Sequence, residues 1–157
     1  MATITILDGG MLTTIQDLGR TGAQRYGVPV AGAMDLFALR AANRLAGNGE
    51  GMAGLEITVV GPEIRFEGER VFAVTGADLG PTLDGCPVAA WQSHVARAGS
   101  VLSFAGLRAG VRAYLAVAGG VDVPPVLGSR STFTRSALGG FEGRALPWLP
   151  VVFRALG

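Results

Sequence analysis

Three features of the 157-residue sequence predict a mainly β fold, a closed or nearly closed barrel carrying one clear helix over about residues 33–46. Short apolar or alternating runs recur at close spacing, and 25 glycines supply the tight turns between them. Only one stretch repeats its apolar residues at a helical period. So many apolar strands would also present sticky edges, which closure into a barrel removes.

Residues 2–8, ATITILD, alternate Thr with Ile or Leu as a first strand, and Gly9-Gly10 turn the chain into the β-branched run Thr13–Ile15. Gln16 to Gly22 is a polar loop with a glycine at each bend. Gly32-Ala33-Met34-Asp35 then opens the helix. Met34, Ala38, Ala41 and Leu45 form its apolar stripe, which Phe37 widens, and Asp35 sits in the first turn, where a carboxylate complements the helix dipole. Gly47-Asn48 ends it. Leu55–Val60 reads as a strand with Leu55, Ile57 and Val59 on one face and Glu56 and Thr58 on the other. Residues 64–67 alternate again, and Val71–Thr75 is a buried strand closed by Gly76. Asp84-Gly85 is a two-residue hairpin signal. Val101–Phe104 and Val111–Val117 are further apolar strands, the second placing Tyr114 where its hydroxyl needs a partner. Pro124-Pro125 marks a loop that carries Ser129-Arg130-Ser131-Thr132.

The composition narrows the function. The chain is long enough for one domain that buries about 70% of its unfolded surface. A net charge of +1 without a basic block gives no support to nucleic-acid or anionic-membrane binding. A lone cysteine, Cys86, makes no internal disulfide and reads as a small buried residue. The start of the chain carries no secretion signal or long apolar span, so the expected location is the cytoplasm. A single histidine, His94, excludes a histidine-based metal cluster. All thirteen basic residues are arginine. With no lysine there is no Walker A lysine, no Schiff base and no biotin carrier.

Within this apolar chain the polar groups of residues 16–35 suggest a lined pocket as readily as they suggest loop solvation and capping. Gln16 offers an amide, Arg20 a planar fork for a carboxylate, and Asp17 and Asp35 a base or water-orienting group. Thr75-Gly76-Ala77-Asp78 fits an ordinary turn, or a pair of backbone donors from Gly76 and Ala77 to a substrate oxygen. Ser129, Arg130, Ser131 and Thr132 read as an anion cradle or a plain polar loop, and Tyr114 as a core residue or a substrate contact.

The segments TTIQDLGR (13–20), GVP, GAMD, AAN and GN, followed by LEITVVGP (55–62), TGADL (75–79), LDG (83–85), YLAVAGG (114–120) and PPVLGSRST (124–132), resemble the KipA family over residues 3 to about 145. That family covers the C component of 5-oxoprolinase and the carboxyltransferase-type half of allophanate hydrolase and urea amidolyase. The resemblance implies a cyclophilin-like barrel and a subunit of an ATP-dependent 5-oxoprolinase that opens 5-oxoproline to glutamate. It implies a KipI-type partner, which is the B component of 5-oxoprolinase, and a larger lactam-hydrolase subunit, with ATP handled by partners and no cofactor held in this chain. Arg20 and the Ser129–Thr132 loop would then hold the substrate carboxylate, Gln16 the lactam edge, and Asp17 or Asp35 a water. The alternatives are a urea amidolyase or allophanate hydrolase system whose biotin rides on another protein, and a binding protein that antagonises a kinase-inhibitor partner.

Residues 1–146 thus read as the N-terminal half of a KipA-family domain. The resemblance stops at 147–157, PWLPVVFRALG, an atypical end, where the family continues with a second half that completes the cleft. The chain alone is therefore expected to be inactive. The strands at 101–104 and 111–117 are expected to lack ladder partners and, with Trp148, Leu149, Val151, Val152 and Phe153, to drive self-association. The lysine-free chain is also expected not to hydrolyse ATP by itself. A 5-oxoproline-stimulated ATPase measured on this polypeptide, free of any partner, would contradict that.

Overall fold

The computed structural model describes residues 3–148 and 151–154. Its strands are β1 (Thr3–Asp8), β2 (Leu12–Gln16), β3 (Gly54–Thr58), β4 (Glu63–Phe66), β5 (Arg70–Asp78), β6 (Pro81–Leu83), β7 (Cys86–Pro87), β8 (His94–Ala96), β9 (Val101–Phe104), β10 (Ala109–Val117) and β11 (Val151–Arg154), with one α-helix, α1 (Leu36–Leu45). The strands make two sheets, ordered β11-β1-β4-β9-β6-β7 and β2-β3-β10-β5-β8. The pairings within them are antiparallel.

The fold is mainly β with one helix, as the sequence predicts, but the described strands do not close a barrel. No strand is shared between the sheets, and β7 and β8, of two and three residues, are too short to bridge them. The edge problem is met in another way. The outer carbonyls of β2 accept from loop amides, Thr132 N–H to Ile15 O at 2.9 Å and Leu146 N–H to Thr13 O at 2.8 Å. The strands at 101–104 and 111–117 are not short of partners either. β9 lies between β4 and β6, and β10 between β3 and β5, so this ground for self-association falls away. Trp148 is exposed, and β11 pairs with β1, Thr3 opposite Arg154; Leu149 lies outside the described residues.

The period-two alternation sorts residues between two layers. Ile4, Ile6, Ile64, Phe66 and Leu102 of one sheet meet Ile15, Leu55, Ile57, Phe72, Val74 and Leu115 of the other in the main core. The alternate positions of β10, Tyr114 and Ala116, face α1 instead. Three strand ends differ from the sequence reading. β3 stops at Thr58 because Val59 turns into the left-handed region at φ 60°. β5 runs through Gly76 to Asp78, with Gly76 at φ 82° inside it. Cys86 is exposed on the small β6–β7 hairpin.

The helix is present but presents a different face. Asp35 is its N-cap, its carboxylate accepting from Ala38 N–H at 2.9 Å, so the helix starts at Leu36. The buried positions are Ala38, Leu39, Ala42 and Asn43, while Met34 and Phe37 are 70% and 74% exposed. Small alanines let α1 lie close on β5 and β10, and Thr75 Oγ1 donates to Ala38 O at 2.7 Å across that contact. Leu39→Ala should therefore cost about 2–5 kcal/mol, whereas Phe37→Ala should cost about 1 kcal/mol or less. Urea denaturation of both variants checks this, and the reverse ranking would restore the stripe read from the sequence.

Candidate functional site

The structure separates the sequence-predicted residues into two groups. The first lies where β2 runs out. Asp17 follows directly and is 8% exposed. Its Oδ1 accepts from Ser129 Oγ at 2.6 Å, Ser131 Oγ at 2.6 Å and Gly19 N–H at 2.8 Å, and its Oδ2 from Arg130 N–H at 2.6 Å. Burial alone would raise the pKa of this carboxyl; the hydrogen bonds from Ser129, Ser131, Arg130 and Gly19 outweigh it and hold the pKa below its ordinary value. Asp17 is thus an ionised, fully engaged acceptor, the opposite of a carboxylate tuned to take up a proton near neutral pH.

Its neighbours share that task. Arg20 is 1% exposed and donates through Nη2 to Ser131 O and through Nε to Val126 O. Gln16 donates to Thr14 Oγ1 and Thr132 O, and Thr132 Oγ1 donates to Ile15 O. Arg130 Nε donates to Val123 O at 2.8 Å. Gly139 closes the cluster at φ 69°, where a Cβ would stand 2.2 Å from Ser131 O and 2.6 Å from Arg20 Nη2. The polar groups at 16–20 and 129–132 therefore fasten the loop after β10 to the end of β2.

The second group lines a cavity of about 560 Å³ on the helix side of the second sheet. Asp35, Gly76, Ala77 and Tyr114 meet there, together with Met34, Asp78, Trp91 and Arg112. A bulge opens it. Between paired positions the chain steps from Ala109 to Ala113 on β10 but only from Gly76 to Asp78 on β5. Gly110, at φ 79°, permits this, since a Cβ there would stand 2.8 Å from that of Ala77. Trp91 sits at φ 62°, unusual for a bulky residue; its N–H donates to Val74 O at 2.8 Å and its ring lies 6.1 Å from that of Phe37.

Two residues of this site escaped the sequence reading. Glu56 on β3 lies opposite Tyr114 in the ladder. Its Oε2 accepts from Tyr114 Oη at 2.8 Å and from Met34 N–H at 2.7 Å, and its Oε1 faces Arg112 Nε at 3.6 Å. The Tyr114 hydroxyl in turn accepts from Asp35 N–H at 2.8 Å. Burial first, and then the charges of Glu56 and Asp35, push the phenol pKa far above its ordinary value, so Tyr114 remains a neutral donor. The available signal was a lone carboxylate on the non-core face of β3, beside an arginine in an otherwise apolar strand. Among the described residues no group of three or more His, Cys, Asp or Glu side chains is placed to hold a metal, and no helix is long and apolar enough to cross a membrane.

The two-sheet fold is shared with solved structures of related proteins. Residues 26–149 match the family described as carboxyltransferase domain, subdomain A and B, and the chain belongs to that family. It is 45% identical over 145 residues to urea amidolyase of Saccharomyces cerevisiae, a match covering 92% of this chain and 8% of that protein. It is 44% identical over 143 residues to the C component of 5-oxoprolinase from Haemophilus influenzae, covering 91% of this chain and 46% of that one. The crystal structure of K. lactis urea amidolyase superposes with a TM-score of 0.94 at 42% identity, over 98% of this chain and 9% of the other. The chain thus spans about half the length of its Haemophilus influenzae relative.

The Asp17 cluster generates a pH test. A depressed folded-state pKa contributes stability that is fully present above the ordinary value of 3.8 and is lost as pH falls through the folded value. Asp17→Asn should cost about 1–3 kcal/mol at neutral pH and should flatten the loss of stability below pH 3.8. Denaturant midpoints measured between neutral and strongly acid pH check both, and parallel acid limbs for the two proteins would contradict the assignment.

Proposed function

We propose that this chain is the C-type component of a 5-oxoprolinase, acting with partner proteins in the ATP-dependent opening of 5-oxoproline to glutamate. The observation that carries the reading is the cavity in which Asp35, Gly76, Ala77, Arg112 and Tyr114 converge. A volume of about 560 Å³ suits a small ligand. In this reading the lactam carbonyl lies against the backbone at Gly76 and Ala77, whose N–H groups stabilise the oxygen as negative charge develops on it. Asp35 orients the attacking water, and the lactam C–N bond breaks as the carboxylate of glutamate forms. ATP is handled by a partner protein, consistent with a chain that has no lysine. The Ser129–Thr132 loop, bonded to Asp17, and Arg20, bonded to Ser131 O of that loop, serve as scaffold in this scheme and not as the carboxylate clamp.

A second reading keeps the same cavity and changes the substrate. The match to the carboxyltransferase family and the superposition on K. lactis urea amidolyase support a carboxyltransferase-type component, with urea as the small amide and biotin carried by another protein. Reconstitution separates the two. Glutamate formed from 5-oxoproline and ATP when this chain is added to its partners supports the first reading. Urea-dependent carboxyl transfer without 5-oxoproline turnover would overturn it in favour of the second.

Asp35 allows stability and activity to be read apart, because Asn caps a helix about as well as Asp. Asp35→Asn is expected to keep stability within about 0.5 kcal/mol while lowering kcat of the reconstituted complex by about 10²-fold or more. Unchanged kcat would limit Asp35 to its capping role.

A further inference from the structure

We propose a second binding site, at the opposite end of β5 from the cavity described above, that takes a small oxyanion, a phosphate or carboxylate group, on Arg70. Arg70 and Gly76 are six positions apart on β5, roughly 20 Å of strand, so the two sites are distinct. A cavity of about 430 Å³ opens there, lined by Gly47, Asn48, Gly49, Met52, Arg70 and Gly119 among others. Arg70 is the only charged residue in that lining. Its Nε is buried and has no hydrogen-bond partner, and its guanidinium makes no ion pair with a described carboxylate. Arg20 and Arg112 also keep one buried nitrogen each without a hydrogen-bond partner, Nη1 and Nε, but Arg20 donates to two backbone carbonyls through its other nitrogens and Arg112 faces the Glu56 carboxylate at 3.6 Å, whereas Arg70 has neither.

The rest of the wall offers an anion no repulsion. The C-terminal end of α1 borders the cavity, and a helix end of that polarity would disfavour negative charge if its carbonyls were bare. They are not. Ala42 O and Arg44 O accept from Ala46 N–H, Asn43 O accepts from Asn48 N–H, and Leu45 O accepts from Ser93 Oγ. Glu50, the acid within the Gly47–Met52 segment, is paired to Arg44 at 3.2 Å, and Glu69, next to Arg70, is exposed and does not line the cavity. The Asn48 amide is engaged at both ends, donating to Asn43 Oδ1 and Val117 O and accepting from Gly119 N–H, so it is a rigid wall and not a competing ligand. What is left over is donors. Gly49 lines the same cavity with a backbone N–H that has no partner among the described residues, and nothing lies within 4 Å of where a Cβ would stand on Gly47 or Gly49. A guanidinium fork and a free N–H lining one cavity match a planar or tetrahedral oxyanion that presents at least two oxygens.

Calorimetric titration of the full chain with inorganic phosphate, and separately with malonate, at constant ionic strength tests this. Saturable one-to-one binding of at least one of them with Kd at or below about 1 mM is expected, and the two arms decide between phosphate and carboxylate. Arg70→Gln should weaken that binding about tenfold or more, and Arg70→Lys, which keeps the charge but loses the fork, should fall between. Arg25→Gln, at an exposed position in the loop before α1, should leave it unchanged. Absence of saturable binding of either anion to the wild-type chain, or equal affinity in wild type and Arg70→Lys, would overturn the proposal even if Arg70→Gln fails to fold.

Discussion

A single carboxylate, that of Glu56, ties together the parts on which the cavity depends. It projects from β3 on the face away from the main core and holds three things: the Tyr114 hydroxyl on β10, the backbone at Met34 just before α1, and, at longer range, the Arg112 guanidinium on the bulged side of β10. Without that acceptor the buried phenol would lose its partner, at a cost of about 1–3 kcal/mol, and the Met34 N–H would turn to solvent. The approach to α1 would also lose the contact that fixes it over the sheet. Tyr114 then passes the constraint on by accepting from Asp35 N–H, next to the residue that begins the helix. Helix cap and cavity wall are one hydrogen-bonded unit, to which the bulge is tied by the Arg112–Glu56 ion pair.

The Asp17 cluster does comparable work at the other end of the loop system. It draws Ser129, Arg130 and Ser131 onto the end of β2, while Thr132 and Leu146 supply the amides that cover that strand's outer edge. Polar residues in an apolar chain thus serve two purposes that look alike in one dimension. Some are buried because they fasten backbone to backbone, and others because they line a cavity. Exposure and partner count tell them apart: every oxygen of Asp17 is accepting, whereas Asp35 is exposed and its cap bond engages Oδ1 alone.

Much of this was legible in the sequence, and the losses have physical reasons. Alternation in 2–8, 55–58 and 64–66 located strands because each has one face in the core and one outside it. Asp35 was legible as a helix-start residue, although its exact place was the cap and not the first turn. The buried face of α1 was misread because the apolar period through Met34, Ala38, Ala41 and Leu45 is one position off the face that packs, Ala38, Leu39, Ala42 and Asn43. A helix lying close on a sheet buries alanines and leaves Met34 and Phe37 outside. Barrel closure was misread because the edges are covered by loop amides and by β11, neither of which has a pattern that apolar periodicity detects. The candidate residues around Asp17 and those around Asp35 looked like one pocket because nothing local in a sequence reports which groups face each other. Glu56 and Arg112 were overlooked for the same reason, since each gains its meaning only from a partner on a neighbouring strand.

In the proposed scheme the cavity beneath α1, and not the Ser129–Thr132 loop, receives the substrate. Titrating the isotope-labelled chain with 5-oxoproline and following backbone amide resonances tests it most directly. Shifts are expected at Gly76, Ala77 and Arg112 with the amides of 129–132 unmoved. Shifts confined to Ser129, Arg130, Ser131 and Thr132 would contradict it and return the site to the polar loop.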